Sequence, residues 1–430
     1  MTKRENWTSR ISFILSAIGF AAGIGNLWRF PYLVGKYGGG VFLLFYLAIV
    51  TIIGIPLLSI EIALGKTTKK DPVGAYKKLA PKKLWFLNGY INILTIVLIL
   101  GYASIVGGWI VGYFFKSAIG TFSGMAPSEI TSYFASFISN PIEVIGWTVA
   151  FIAGIAIILL RGLNKGVEKV NKIMLPALFL VLIILIIRSL TLPGITKGLI
   201  FYFKPDISKF TLEGALAAIG QAFYSIGVAM TASLVYGSYL NKKEKIVSNA
   251  MIIGFADTLV AILAGLIIFP SVAAFGLEAG AGPGLTFITM PNVFNQIAFG
   301  NFFGSLFYLL FFLAAFTSFV GGAEGVIAHL RDEWGITRKK GVYITTATML
   351  AIAIPSAISS IVFEKLDFFT NNYLIITGGL IMTIFVGWGW PMENFLKQAN
   401  IKSKILRILW TFIIKFFAPL VIIIIGFMHN

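Results

Sequence analysis

The chain has no cysteine, only two histidines and little charge: Asp, Glu, Lys and Arg make up 12% of its 430 residues. Without thiols there is no disulfide, no thiolate nucleophile and no iron–sulfur cluster. His329 and His429 stand far apart in sequence, which leaves no imidazole pair for a zinc site. Acidic residues are also scarce, 17 against 34 Lys and Arg, giving a net charge of +17. Apolar residues, by contrast, reach 58%, and the mean hydropathy of +0.90 is far from that of a soluble domain. The composition is that of an all-α polytopic membrane protein.

A membrane-crossing helix needs about 20 mostly apolar residues. Eleven stretches qualify: 11–35, 41–65, 88–115, 143–161, 170–190, 212–240, 246–275, 300–332, 341–362, 373–396 and 404–428. The first is too long for a cleavable leader and lacks a small-residue cleavage pattern. Basic residues gather in alternate connections: Lys3, Arg4 and Arg10, then Lys66 to Lys83, Arg161 to Lys172, Lys242 to Lys245, Arg331 to Lys340 and Lys397 to Arg407. That bias puts the amino terminus in the cytoplasm and the carboxyl terminus outside a multi-pass cell-membrane protein. The positive charge then calls for anionic lipid as its partner and for no nucleic acid.

Two of the eleven stretches are interrupted. Residues 19–31, GFAAGIGNLWRFP, break the first with Gly19, Gly23 and Gly25 and with Asn26; the sixth breaks at Tyr224–Ser225–Ile226–Gly227. Freed backbone at membrane depth survives only where protein or a polar cavity surrounds it, although small residues also serve plain helix packing. The breaks lie five spans apart, so the two helices cross in opposite directions. Paired interruptions in two halves indicate a 5+5 inverted repeat with a site near the midplane: 1–190 as one repeat, 208–400 as its inverted copy, and 404–430 as an eleventh helix within a single transporter domain of 1–430. Half-helix amino ends suit a carboxylate and freed carbonyls suit a cation.

Acids within membrane spans are costly and so mark function by default. Asp257 sits mid-span with no adjacent Lys or Arg; either it is protonated or it faces a cation. Ala314, Thr317 and Ser318 share one helix face and offer hard oxygens, or else hydroxyls that bond back to their own helix. Glu324 is a separate buried acid, and Glu61 either meets the first helix's unwound backbone, titrates, or makes a helix–helix hydrogen bond. Arg29 and Asp367, at outer span ends, form an opposed pair or two solvated charges.

The run from Arg4 to Arg29, RENWTSR through GNLWRFP, with GGG at 38–40 and GIPLL at 54–58, resembles the neurotransmitter:sodium symporter family in its prokaryotic amino-acid transporter branch. The likeness covers nearly the whole chain. It implies the leucine-transporter-like fold, whose broken helices are the family's own, so the breaks and the resemblance are one observation. It also implies sodium-coupled symport of an amino acid by alternating access, with sodium as coupling ion, no other cofactor and no enzymatic chemistry. One sodium is implied at the Ala21 carbonyl, Asn26, Ser225 and Asp257, completed by the substrate carboxylate. A second is implied at the carbonyls of Gly19, Ala22 and Ala314 and the hydroxyls of Thr317 and Ser318. The implied substrate pocket comprises Phe20, Ala21, Gly23, Ile24, Ile99, Tyr102, Ala103, Tyr224, Ser225, Gly227, Met230, Ser318 and Gly322. Arg29 with Asp367 matches the outer gate; Arg4 with Asp332, backed by Trp7 and Tyr239, matches the inner one.

Two departures stand out. Many relatives carry an amide where this chain has Asp257, which implies chloride-independent transport. Relatives also carry a tyrosine at the position of Ala103; here Tyr102 comes one residue earlier, roughly 100° around the helix, so either a helix distortion restores it or the gate is built differently. The apolar pocket suggests a large hydrophobic or aromatic amino acid. Alternatives are another small zwitterion or amine as cargo, or a solute sensor that does not transport; the expected assembly is a monomer or homodimer. A channel fits poorly with two midplane breaks. The segment 282–296 matches the family's outer loop, and Pro283 and Pro291 argue against one continuous helix there.

Overall fold

The computed structural model describes residues 5–241, 243–277 and 282–428, and almost all of them are helical. Nine helices are long and apolar enough to cross a membrane, and the pair Arg10–Ala21 and Gly25–Lys36, bent by 56°, adds a tenth crossing. The halves Leu212–Ser225 and Ala232–Ser238 are each too short to span. Counted together they are the sixth crossing and complete the eleven.

The breaks follow from local chemistry. In the first span the helix stops at Ala21, where Ala22 turns out to ψ 69°, and Gly23 folds back to donate to the Ala21 carbonyl at 2.7 Å. Gly25 resumes the helix beneath the Tyr224 ring; a Cβ there would lie 2.7 Å from that ring, so only glycine fits. The sixth span continues through Tyr224 and Ser225, later than the sequence suggests, and its non-helical residues are 226–231. Within them Gly227, Ala229 and Thr231 have φ of 67°, 62° and 67°. For the two non-glycine residues this left-handed backbone costs about 1–2 kcal/mol each, the sort of strain that collects at functional sites.

Several boundaries differ from the sequence reading: the fifth span begins at Leu163, not at 170, and the ninth ends at Ile358, not at 362. The tenth span begins at Ser360, not at 373, and ends at Gly389; the polar run Glu364, Lys365, Asp367 and Asn371 hides its first turns from a hydropathy window. Residues Met392–Gln398 form a separate short helix after Pro391. Residues 283–295 are helical throughout despite Pro283 and Pro291: Pro291 stands in the first turn of the helix Met290–Asn295, after the π-turn Leu285–Thr289, and the Tyr308 hydroxyl donates to the Thr286 carbonyl at 2.9 Å. The connection between the third and fourth spans carries the helix Pro127–Ile138, which buries Ile130, Phe134 and Phe137 on one face.

The third span has a turn at Ala103, where the helix Phe86–Tyr102 gives way to Ser104–Ala118. The broken first and sixth spans pack within the bundle, and the third and eighth spans close the space between them.

Candidate functional site

Beside the first break, three buried polar side chains from three spans meet. Asn26 Nδ2 donates to the Asp257 carboxylate at 2.7 Å and to the Asp257 carbonyl at 3.0 Å. Ser225 Oγ donates to the other carboxylate oxygen at 2.6 Å. These bonds turn Asn26 Oδ1 inward, where it is buried with no partner. Among the described residues no Lys or Arg nitrogen lies within 4.0 Å of Asp257. A carboxylate fed by two donors, beside an unpartnered amide oxygen, is a set of hard oxygens of the kind that suits a small cation.

On the other face of the same break the eighth span approaches. Ser318 Oγ donates across to the carbonyls of Gly19 at 3.2 Å and Phe20 at 2.7 Å. Thr317 Oγ1 stays on its own helix, donating to the carbonyls of Leu313 at 2.9 Å and Ala314 at 3.2 Å. Ser318 therefore reaches the broken helix, while Thr317 makes the local back-bond that a membrane threonine ordinarily makes.

Between the two clusters lies a cavity of about 90 Å³. Of the residues expected there, Phe20, Ala21, Gly23, Ile24, Ile99, Ala103, Tyr224, Ser225, Gly227, Met230 and Ser318 line it. Gly322 does not: the side chains of Ile96 and Leu100 lie over it. Tyr102 does not either, because the Ala103 turn leaves its hydroxyl donating to Asp367 at 2.9 Å in the tenth span. No helix distortion returns Tyr102 to the cavity, and Ala103 takes its place in the wall. Ile96, Leu100, Ala315 and Phe319 also line the cavity and went unforeseen. Helical spacing would have found them, since Ile96, Ile99, Leu100 and Ala103 form one stripe and Ala315, Ser318 and Phe319 another.

At the end of the bundle bearing Asp367, Arg29 and Asp367 make no ion pair within 4.0 Å. Asp367 accepts from Tyr102 and from Asn371 at 2.8 Å, and the Arg29 guanidinium sits 5.5 Å over the Tyr224 ring. The pair read from the sequence is thus a layer, with cation and carboxylate each held by an aromatic residue. At the opposite end Trp7 donates to the Tyr236 carbonyl at 3.0 Å and packs edge-on against Tyr236 and Tyr239. Arg4 lies outside the described residues; Asp332 accepts from the Asp71 amide at 2.8 Å. Asp71 is buried, which pushes its carboxyl up, while the His329 hydrogen bond at 2.8 Å opposes that shift.

The sequence leaves two features of that end unseen. Arg338 donates through both arms to the buried Glu324, at 3.0 and 2.6 Å, and Tyr239 donates to Glu324 at 2.9 Å. Glu5 accepts from Arg331 at 3.0 Å and lies 3.7 Å from Arg338. Glu61 bonds the sixth span's break, not the first: it accepts from the Ala229 amide at 2.9 Å, leaving its second oxygen buried and unpartnered.

Residues 4–126 and 133–429 match the sodium:neurotransmitter symporter family. The chain belongs to this family. The symporter is 35% identical to an uncharacterised sodium-dependent transporter, YhdH, of Bacillus subtilis, over 98% of this chain and 97% of that one. It is 29% identical to an uncharacterised sodium-dependent transporter of Methanocaldococcus jannaschii, over 99% of this chain and 90% of the other. Among solved structures it matches MhsT in complex with L-phenylalanine, with a TM-score of 0.90, 35% identity and coverage of 99% of this chain and 100% of that one. The fold is the leucine-transporter-like one, and the symporter is a sodium-dependent multi-pass membrane transporter, not an enzyme.

Proposed function

We propose that this symporter imports an amino acid with a large apolar or aromatic side chain, driven by sodium and independent of chloride. The observation that carries the reading is the meeting of Asn26, Ser225 and Asp257 beside the cavity, with the Asn26 oxygen buried and unpartnered. A sodium ion taking that oxygen, the Ala21 carbonyl, Ser225 and Asp257 would be completed by the substrate carboxylate, so cargo and ion share a contact. The Asp257 charge offsets the cation, which leaves chloride no role. A second ion takes the carbonyls of Gly19, Ala22 and Ala314 with Thr317 and Ser318, Thr317 giving up its local bond to do so.

The substrate class rests on the apolar cavity wall and on the phenylalanine carried by MhsT, its 35% identical relative. The layer of Arg29, Tyr224, Tyr102 and Asp367 closes the outer side, and Trp7, Tyr239 and Asp332 the inner side, with the amino terminus cytoplasmic. The halves 1–190 and 208–400 move against each other as inverted repeats, with 404–430 outside them. In proteoliposomes, labelled phenylalanine is taken up only with an inward sodium gradient, equally in chloride and in gluconate. Uptake that ignores sodium, or no competition by any apolar amino acid, overturns the reading.

A further inference from the structure

Asn171, in the fifth span, is fully buried and lies where the first, fifth and eighth spans meet. Its amide nitrogen donates to the Val167 carbonyl at 2.8 Å, one turn back on its own helix. That bond fixes the orientation of the amide, because the reverse would set oxygen against oxygen. Asn171 Oδ1 therefore points away from its helix, and it has no hydrogen-bond partner. It faces Gly19: a Cβ built on Gly19 would lie 2.6 Å from Asn171 Oδ1 and 3.2 Å from the Thr317 Cβ. A buried acceptor without a donor costs on the order of 1–3 kcal/mol, and such groups call for an occupant.

We propose that Asn171 Oδ1 is an oxygen of the second cation site, contributed by the fifth span, facing a sodium ion held at Gly19 and Thr317 either directly or through one water. This rests on the reading of that site under Proposed function. Every other candidate oxygen there comes from the first or eighth span, so Asn171 would bring a third element into ion binding. It also gives Gly19 a reason to be glycine, since any side chain would fill the gap between the amide oxygen and Thr317.

The test is a sodium titration of the purified protein without amino acid, followed by thermal shift, with potassium holding ionic strength constant. Asn171→Ala is expected to raise the half-saturating sodium concentration roughly five-fold, the worth of one neutral hydrogen-bonding group. Asn171→Asp, which keeps an oxygen and adds charge, is expected to lower the half-saturating sodium concentration below that of the wild type, a result that a purely structural amide would not give. Asn171→Asp also serves as the readout should the alanine variant fail to fold. Ser318→Ala, which removes a residue of the parent site, is expected to weaken sodium at least as much. If Ser318→Ala weakens sodium and both Asn171 variants titrate like the wild type, the amide oxygen is not at the ion and the parent site stands. If Ser318→Ala also changes nothing, the second-site reading itself falls. An effect at Asn171 without one at Ser318 places the amide elsewhere and overturns the proposal too.

Discussion

The two broken helices solve the same problem in different ways. The first break is short, consists of Ala22 and Gly23, and contains no residue with positive φ. It is supported from outside by the Ser318 hydroxyl and by packing that only glycine permits. The sixth break is longer, runs from 226 to 231, and holds two non-glycine residues in left-handed backbone. It is stapled by a carboxylate borrowed from the second span. One break is a hinge shaped by missing side chains, the other a strained loop held by one acid. Asp257 joins them, accepting from Asn26 on one side and Ser225 on the other.

The largest effect is expected at that junction. Asp257→Asn replaces one of the two accepting oxygens with a donor and removes the charge facing the ion; breaking a buried charged contact costs about 3–5 kcal/mol. Sodium affinity in chloride-free buffer should fall by two orders of magnitude or more, with chloride restoring part of it. Full chloride-independent uptake by this variant would remove the role given to Asp257.

Glu61→Ala is expected to act on the sixth break alone, lowering stability by about 1–3 kcal/mol as the buried Ala229 amide loses its acceptor. Glu61→Gln, which keeps an oxygen for that amide, should cost clearly less. Equal melting temperatures for the two variants would show that Glu61 does not hold the loop.

The glycines should separate the breaks by sign. Gly25→Ala pushes a methyl into the Tyr224 ring and is expected to destabilise by about 1–3 kcal/mol. Ala229→Gly relieves left-handed strain and should stabilise by up to about 1 kcal/mol. Denaturation in detergent measures both, and loss of stability in Ala229→Gly would contradict the strained-loop account. The smallest change is expected from Arg29→Gln, about 0.5–1 kcal/mol for the lost contact over Tyr224, read as weaker retention of bound substrate.

The crossings and both breaks are legible in sequence because membrane depth punishes freed backbone, and glycine with isolated polar residues betrays where it is tolerated. Asn26, Ser225 and Asp257 are legible for the same reason. Less visible is where side chains point. Tyr102 reads as a cavity residue, yet the one-residue turn at Ala103 sends it to Asp367, and a hydropathy pattern carries no record of such a turn. The start of the tenth span is hidden because its polar residues face partners within the bundle: Asp367 and Asn371 bond each other and Tyr102. Glu324 is plain as a buried acid, but its partner Arg338 lies beyond the turn after the eighth span and only folding brings it back.

That last pair has a consequence for how the surrounding solution acts on the protein. Arg338 and Glu324 are 16% and 0% exposed, whereas Lys36 and Glu213, at the other end of the bundle, are 44% and 70% exposed. Salt screens exposed charges, with a Debye length of about 8–10 Å at physiological ionic strength, and acts far less on a buried pair. Added salt is therefore expected to weaken the Lys36–Glu213 pair and to leave Arg338–Glu324 almost unchanged.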